Sequence, residues 1–152
     1  MSQTVVGVDP GGRQTGVVTR RGERLFYGAT VTREVPMPAY VAEVVDTIRR
    51  ACGMAPGGDL LVVAVEGVNA PSPHLGLTNV AGLLDTAMVL GAVLHAYPEA
   101  VVVPPGGHGS APLATYPSAL VGKGEVVGTG KRRHMRSAWD AAGAARVPGV
   151  GP

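Results

Sequence analysis

Residues 4–16 read TVVGVDPGGRQTG, and they carry the strongest indication of the fold. Its first five residues are mostly β-branched and apolar, so they predict a short buried strand that ends at Asp9. The Pro-Gly-Gly that follows is a strong turn signal, and residues 15–19 predict a second strand beyond it. Residues 25–31 add a third strand after another glycine turn. The chain is therefore expected to open with an antiparallel meander whose first strand ends on a carboxylate.

Helices and strands alternate through the remainder of the chain. Apolar residues recur at helical spacing in 41–52, a wide apolar face runs along 77–97, and 131–145 is rich in strong helix formers. Short apolar runs at 60–65 and 101–103 predict two more strands. The order is three strands, helix, strand, helix, strand, helix. It predicts an α/β ribonuclease H-like fold, in which helices flank a mixed five-stranded sheet.

The composition is that of one globular domain. The 152 residues are 45% hydrophobic and 16% charged, which excludes a chain that is disordered throughout. We expect a single domain over 1–146 and a flexible tail over 147–152, where VPGVGP cannot form a helix. The single cysteine excludes an internal disulfide, and the lack of a charged-then-apolar leader predicts a cytoplasmic protein. Asp85 within 77–97 favours a buried helix there over a membrane span.

Basic side chains concentrate near the end of the chain. Residues 121–146 hold six basic and two acidic side chains, whereas the rest of the chain holds seven basic and nine acidic ones. This asymmetry predicts a polyanionic partner such as nucleic acid, and a solvated basic helix is the alternative. Contacts to DNA phosphates are expected from Lys123, Lys131, Arg132, Arg133 and Arg136.

Two carboxylates follow predicted strands, and a third lies on the last predicted helix. A carboxylate directly after a buried strand, as at Asp9 and Glu66, is costly to desolvate unless it is paired or bound to a cation. Ligands in open sheets of this kind gather at the carboxyl ends of parallel strands. With Asp140, these residues would offer three oxygen ligands to Mg²⁺ in two-metal phosphoryl chemistry. Taken singly, a turn role for Asp9 and a solvated helix position for Asp140 are the commoner fates.

Four segments together resemble the motifs of one family, the RuvC-type Holliday-junction resolvases. Residues 6–16 closely resemble its first motif, a strand that ends in a metal-binding Asp before Pro-Gly and Thr-Gly. The segments 64–69 and 137–142 are similar to its second and last motifs, and 120–124 to its stretch of glycine and lysine. The resemblance spans nearly the whole folded chain.

The resemblance implies an activity and a set of roles. It implies cleavage of branched DNA, such as four-way junctions, forks or flaps, by a homodimer that uses two Mg²⁺ ions per site, with Mn²⁺ as a possible substitute. Asp9, Glu66 and Asp140 would be the catalytic metal ligands. The helix over 77–97 is a candidate dimer contact, and a core role within one chain is the alternative for it.

The sequence also departs from the family pattern. A fourth ligand, Asp or His, usually lies three residues before the last Asp, where this chain has Ser137. His134 is the nearest imidazole and a candidate ligand or proton shuttle, but its spacing of six residues from Asp140 predicts that it lies off the shared helix face. Phosphate contact or a helix-start role is the alternative for His134. Arg133 and Arg136, at i−7 and i−4, are expected on the metal-facing stripe as clamps for the scissile phosphate.

Two further departures bear on the kind of enzyme. The loop over 69–74 lacks the aromatic that cellular members carry after the second motif, and the link from Gly124 to the last helix is short, as in the phage-encoded branch. Both favour a broader branched-structure nuclease. A catalytically weak branched-DNA-binding module is the alternative function, and a phage of a GC-rich host is the expected source.

Overall fold

The valine-rich runs form one mixed sheet in the computed structural model, which describes residues 2–68 and 80–145. The described strands are β1 (Gln3–Asp9), β2 (Gln14–Arg21), β3 (Arg24–Thr32), β4 (Leu60–Glu66) and β5 (Val101–Val103). Their spatial order is β3-β2-β1-β4-β5. The first three pair antiparallel, and β4 and β5 continue the sheet parallel to β1. The carboxyl ends of β1, β4 and β5 therefore share one edge of the sheet.

Three helices cover the two faces of the sheet. They are α1 (Met37–Gly53), α2 (Val80–Ala96) and α3 (Arg133–Ala144), and two 3-10 turns lie at Leu113–Thr115 and Ser118–Leu120. Alternate residues of β1 point to opposite faces, so Val6 joins the core beneath α1 and α2 while Val5 joins the core beneath α3. This is the predicted α/β arrangement of five strands and flanking helices.

Glycines in the first two strands let α3 lie directly on the sheet. A Cβ at Gly7 of β1 would overlap the carbonyl oxygen of Ala138, and one at Gly16 of β2 would overlap that of His134. Only glycine allows so close an approach of two backbones. This contact sets the axial position of α3 and brings its first turn to the end of β1, next to Asp9.

Some predicted boundaries and environments differ from those observed. The first helix begins at Met37 rather than residue 41, because Pro38 fits the first turn of a helix. The second helix is buried on one side only, at Val89 and Val93, so the expectation of a buried helix was wrong for its other side. The segment 69–79, including the loop that lacks an aromatic, and the predicted tail lie outside the described residues. No described helix is long and apolar enough to span a membrane.

Candidate active site

Asp9 and Glu66 meet where β1 and β4 end. Val8 pairs with Val65 in the parallel register, so the next residue of each strand carries one of the two carboxylates. Burial raises the pKa of Glu66, and the negative charge and hydrogen bonding of Asp9 raise it further, while His108 and the Gly106 amide act against these effects. When one of two neighbouring carboxyl groups is ionised, ionisation of the other is disfavoured. A bound cation would reduce this repulsion.

The turn after Asp9 is fixed by a tyrosine from α1. The buried Tyr40 hydroxyl donates a hydrogen bond to the carbonyl of Gly11 at 2.6 Å and lies 2.8 Å from the hydroxyl of Thr15. The Gly11 amide also donates to Thr15 Oγ1 at 3.3 Å. These bonds tie the Pro-Gly-Gly turn to the second strand and to α1, so the backbone that carries Asp9 has little freedom.

One face of the first turns of α3 points at the two carboxylates. His134 Nδ1 lies 2.9 Å from Asp9 Oδ2, and the Ser137 hydroxyl donates to Glu66 Oε2 at 3.2 Å. Residues at i and i+3 of a helix share a face, so these two side chains reach the carboxylates together. His134 and Asp140 lie on different faces of α3, as their spacing predicts, and His134 is the one of the two that contacts Asp9.

Asp140 lies one turn farther along α3 and is held elsewhere. Its Oδ2 accepts hydrogen bonds from the Tyr116 hydroxyl at 2.6 Å and from the Gly109 amide at 2.7 Å. Burial and the hydrogen bond to Asp140 raise the pKa of Tyr116 to about 12, so the phenol remains a donor at neutral pH. Within residues 2–68 and 80–145, no three His, Cys, Asp or Glu side chains gather closely enough to hold a metal ion. The predicted meeting of three carboxylates is therefore absent from this conformation.

The donor set at the strand ends nevertheless suits a hard cation. Mg²⁺ is usually held in proteins by one or two carboxylates, with waters and substrate phosphates completing its octahedron. Asp9 and Glu66 supply the two carboxylates, and the Ser137 hydroxyl supplies a neutral oxygen beside them. These residues fit one ion, and a second ion requires a further ligand such as Asp140.

An open cleft of about 1220 Å³ faces this pair of carboxylates. Its rim carries the side chains of Arg13, Arg33 and Arg133, and Asp85 of α2 also lines it. Arg33 pairs with Asp85 at 3.3 Å. Arg33 was not among the residues predicted for the site, although the meander offered a signal for it. Because β3 returns to the level of the first turn, the residue that follows it must lie beside Arg13, and the Arg33 amide donates to the Arg13 carbonyl at 2.8 Å.

The predicted phosphate contacts separate into two environments. Lys123, Lys131, Arg132 and Arg133 are exposed. Arg136 is fully buried, and its guanidinium donates to the carboxylate of Glu125 and to the carbonyls of Leu120 and Thr129. The prediction that Arg136 clamps a scissile phosphate was therefore wrong. The spacing of four residues predicted that Arg136 shares a helix face with Asp140 and is open to phosphate. Arg136 instead packs beneath a loop and does not face solvent.

Comparisons with known proteins support the architecture. No protein-family model matches the sequence, and no curated protein matches it. Among solved structures, Thermus thermophilus RuvC in complex with a Holliday junction substrate superposes with a TM-score of 0.57 at 20% identity, covering 91% of this chain and 90% of that one. A second Thermus thermophilus RuvC structure gives 0.54 at 22% identity, with the same coverage. The chain has a RuvC-like fold.

Within this RuvC-like fold, the site lies at the edge where the parallel strands end. Asp9 closes β1, Glu66 closes β4, and the loop after β5 reaches both carboxylate regions through backbone amides. The Gly106 amide lies 3.5 Å from Glu66 Oε1, and the Gly109 amide contacts Asp140. Strand order and helix placement, rather than sequence identity, carry the likeness.

Proposed function

We propose that this chain is a divalent-metal-dependent endonuclease that hydrolyses phosphodiester bonds in branched DNA, of the Holliday-junction resolvase type. One observation carries the proposal. Asp9 and Glu66 lie side by side at the ends of adjacent parallel strands, in an arginine-rimmed cleft of a RuvC-like fold. The similar Thermus thermophilus RuvC structure contains a Holliday junction substrate, which supports branched DNA as the substrate class.

Asp9 and Glu66 are the proposed primary ligands of Mg²⁺ or Mn²⁺. Bound there, such an ion would supply an activated water and charge neutralisation at the phosphate. Ser137 orients Glu66 through its hydroxyl, and His134 contacts Asp9 through Nδ1. Asp140 is the proposed third carboxylate, and it reaches the pair only if it gives up the bonds from Tyr116 and Gly109.

The surface around the cleft suits a phosphate backbone. Arg13 and Arg133 are exposed on the rim, while Arg33 is half-buried and balanced by Asp85. An arginine fork binds phosphate oxygens in a bidentate manner, so these side chains can fix the strand next to the carboxylates. Lys123, Lys131 and Arg132 extend the cationic surface beyond the rim. Binding should therefore weaken steeply as salt rises.

A homodimer formed through α2 is part of the proposal. The outer side of α2 exposes Val80, Leu84 and Met88, at 41%, 60% and 50%. These positions recur every four residues, which places them on one apolar stripe. A two-fold dimer would present two clefts and cut two strands symmetrically. Action in the cytoplasm of a bacterial cell or phage-infected host, and membership of the phage-encoded branch, belong to the same proposal.

A second candidate function is a catalytically weak module that binds branched DNA. The observation that favours it is the engagement of Asp140 with Tyr116 and Gly109, which leaves two carboxylates instead of three beside the cleft. Such a module would keep the cationic surface and the fold but would cleave slowly.

The test uses purified protein and a panel of labelled four-way junctions, forks, flaps and linear duplexes, with Mg²⁺, Mn²⁺ or EDTA. We expect cleavage of the branched substrates only with metal. Asp9→Asn should reduce cleavage to the metal-free background while junction affinity stays within about threefold. Asp46→Asn, a neutralisation on the exposed side of α1, is the matched control and should cleave normally. If the wild type binds four-way junctions tightly but does not cleave them with either metal, the second candidate is favoured.

A further inference from the structure

The segment between the second 3-10 turn and α3 is a compact loop built from two successive turns. We call residues 122–130 the double-turn loop. The Glu125 amide donates to the Gly122 carbonyl, and the Thr129 amide donates to the Val126 carbonyl, both at 3.1 Å. The third residue of each turn is a glycine with positive φ, 76° at Gly124 and 77° at Gly128. Such turns require glycine there.

The buried Arg136 pins this loop to α3. Its guanidinium donates to the carbonyls of Leu120 at 2.9 Å and Thr129 at 2.6 Å, and it pairs with the Glu125 carboxylate inside the loop. Gly122 and Gly130 pack against the Glu125 side chain, where any Cβ would overlap it. The loop is therefore held in one shape before any partner arrives.

The fold leaves two apolar side chains at the outer end of this fixed loop. Val126 is 61% exposed and Val127 is 44% exposed, although both are β-branched and apolar. Burial of these two side chains against a partner would be favourable, and the rigid loop that carries them would lose little conformational entropy on binding. We call this pair the valine tip.

Cationic side chains flank the valine tip on both sides in sequence. Lys123 precedes it, Lys131 and Arg132 follow it, and all three are exposed. The one acidic residue of the loop, Glu125, is neutralised by Arg136. The base of the loop also connects to the cleft, because Arg133 on the cleft rim donates to the Gly130 carbonyl at 2.9 Å. The basic side chains around the valine tip can bind DNA phosphates, and the valines can contact bases. This combination suits DNA whose bases are accessible.

We propose that the valine tip inserts between base pairs at the branch point of the DNA, while Lys123 and Lys131 hold the flanking phosphates. Apolar side chains of DNA-bending proteins act in this way, and the cost of unstacking is smallest where the stacking is already broken. The stiff χ1 of valine and the pinned loop reduce the entropy lost on insertion. This inference rests on the proposed branched-DNA substrate and assigns the selection of branches to the valine tip.

The test measures base unstacking directly. A four-way junction carries 2-aminopurine beside the branch point, and fluorescence is recorded in EDTA so that no cleavage occurs. Wild-type protein should raise the fluorescence severalfold. Val126→Thr/Val127→Thr keeps the side-chain shape but adds hydroxyls, and it should lose most of this rise and at least about tenfold of the preference for junction over linear duplex. Met54→Thr, an exposed apolar position after α1, is the control and should behave as wild type.

The outcomes separate the inference from the proposed function. A wild type that prefers junctions, together with a threonine variant that keeps both the preference and the fluorescence, overturns the valine tip alone. A wild type without any preference for junctions overturns the proposed substrate and the inference with it. If sedimentation shows that the threonine variant dissociates a dimer, the valines belong to a subunit contact and the inference is wrong.

Discussion

The side chains of the site surround two carboxylates, Asp9 and Glu66, whose negative charges repel each other. Asp9 and Glu66 end neighbouring strands, and the backbone register leaves them no choice of partner. The chain moderates the conflict with the hydroxyl of Ser137, the imidazole of His134 and the amide of Gly106. Such a pair is tolerated at the expense of stability, which is typical of sites that await a cation.

Removal of the charge from Glu66 should stabilise the metal-free protein. The raised pKa means that the folded state favours protonated Glu66, so stability falls as the pH rises from about the ordinary value of 4.5. Glu66→Gln should melt a few degrees above wild type at pH 7 in EDTA, since about 1 kcal/mol corresponds to about 2–4 °C in a domain of this size. Thermal melts from pH 4 to pH 8 measure the difference in melting temperature between the variant and wild type. This difference should disappear at pH 4.

Mg²⁺ should reverse this order, because it binds the folded wild type and not the amide variant. Glu43→Gln, on the exposed side of α1, controls for surface charge. A Glu66→Gln variant that melts below wild type at pH 7 in EDTA would contradict the charge conflict.

Asp140 should be a metal ligand that is restrained by Tyr116. Tyr116→Phe removes a charge-assisted hydrogen bond worth about 1.5–3 kcal/mol, so Mn²⁺ affinity should rise by about tenfold if Asp140 must leave the phenol to bind. Asp140→Asn should lose cleavage. Calorimetric Mn²⁺ titration and cleavage assays give the two measurements.

Variants on the other face of α3 decide between the ligand sets. Ser137→Ala and His134→Ala should weaken Mn²⁺ binding by about 10–100-fold, the usual effect of residues that orient ligands. If Asp140→Asn cleaves normally while these two variants do not, the third ligand comes from the His134 face and our assignment of Asp140 is wrong.

Among the secondary-structure elements, α3 and the double-turn loop depend on each other. Arg136 is buried because the loop supplies two acceptors, Glu125 and Thr129, and the Leu120 carbonyl just before the loop supplies a third. Breaking a buried ion pair by removing one partner leaves the other charge stranded, which costs more than the pair contributes when intact.

Arg136→Met should destabilise the chain by about 3–5 kcal/mol, as expected for one partner of a buried pair. Burial raises the pKa of Glu125, but the hydrogen bond and charge of Arg136 outweigh this and hold it below 4.5. The ion pair therefore stabilises the folded protein at neutral pH, and this contribution is lost as the pH falls below 4.5. Urea melts of wild type, Arg136→Met and Glu125→Gln at pH 7 and pH 3.5 should show the difference shrinking at low pH.

Arg132→Met is the matched control, since Arg132 is an exposed arginine directly before α3. It should keep its stability and bind DNA more weakly. If instead Arg136→Met stays stable and loses DNA affinity, the original phosphate-clamp role of Arg136 would be restored.

For the whole chain, the apolar stripe on α2 should govern assembly. Leu84→Glu/Met88→Glu changes two exposed side chains, so it should leave the fold intact and yield a monomer in sedimentation experiments. Paired cuts in a four-way junction should then become single nicks. Met54→Glu carries the same change at an exposed site after α1 and should not alter the mass. An unchanged mass for the α2 variant would place the subunit contact elsewhere.

Local sequence patterns were enough to predict the order of the strands and helices, the mixed sheet, and the two carboxylates at the strand ends. These follow from local patterns, since alternation and turn residues define β1, and a parallel register then brings Glu66 beside Asp9. Arg33 was predictable in principle from the same meander.

The face that α3 turns toward the site depends on packing between distant parts of the chain. Helical spacing groups residues into faces but does not say which face meets the sheet or how far along the strand it lies. Gly7 and Gly16 set the rotation of α3 and its position along the strands, because they let the backbone of α3 approach the sheet. That contact turns His134 and Ser137 toward the carboxylates and Asp140 toward Tyr116. It also closes the double-turn loop over Arg136, because rotation and depth of a helix are set by packing at distant sequence positions.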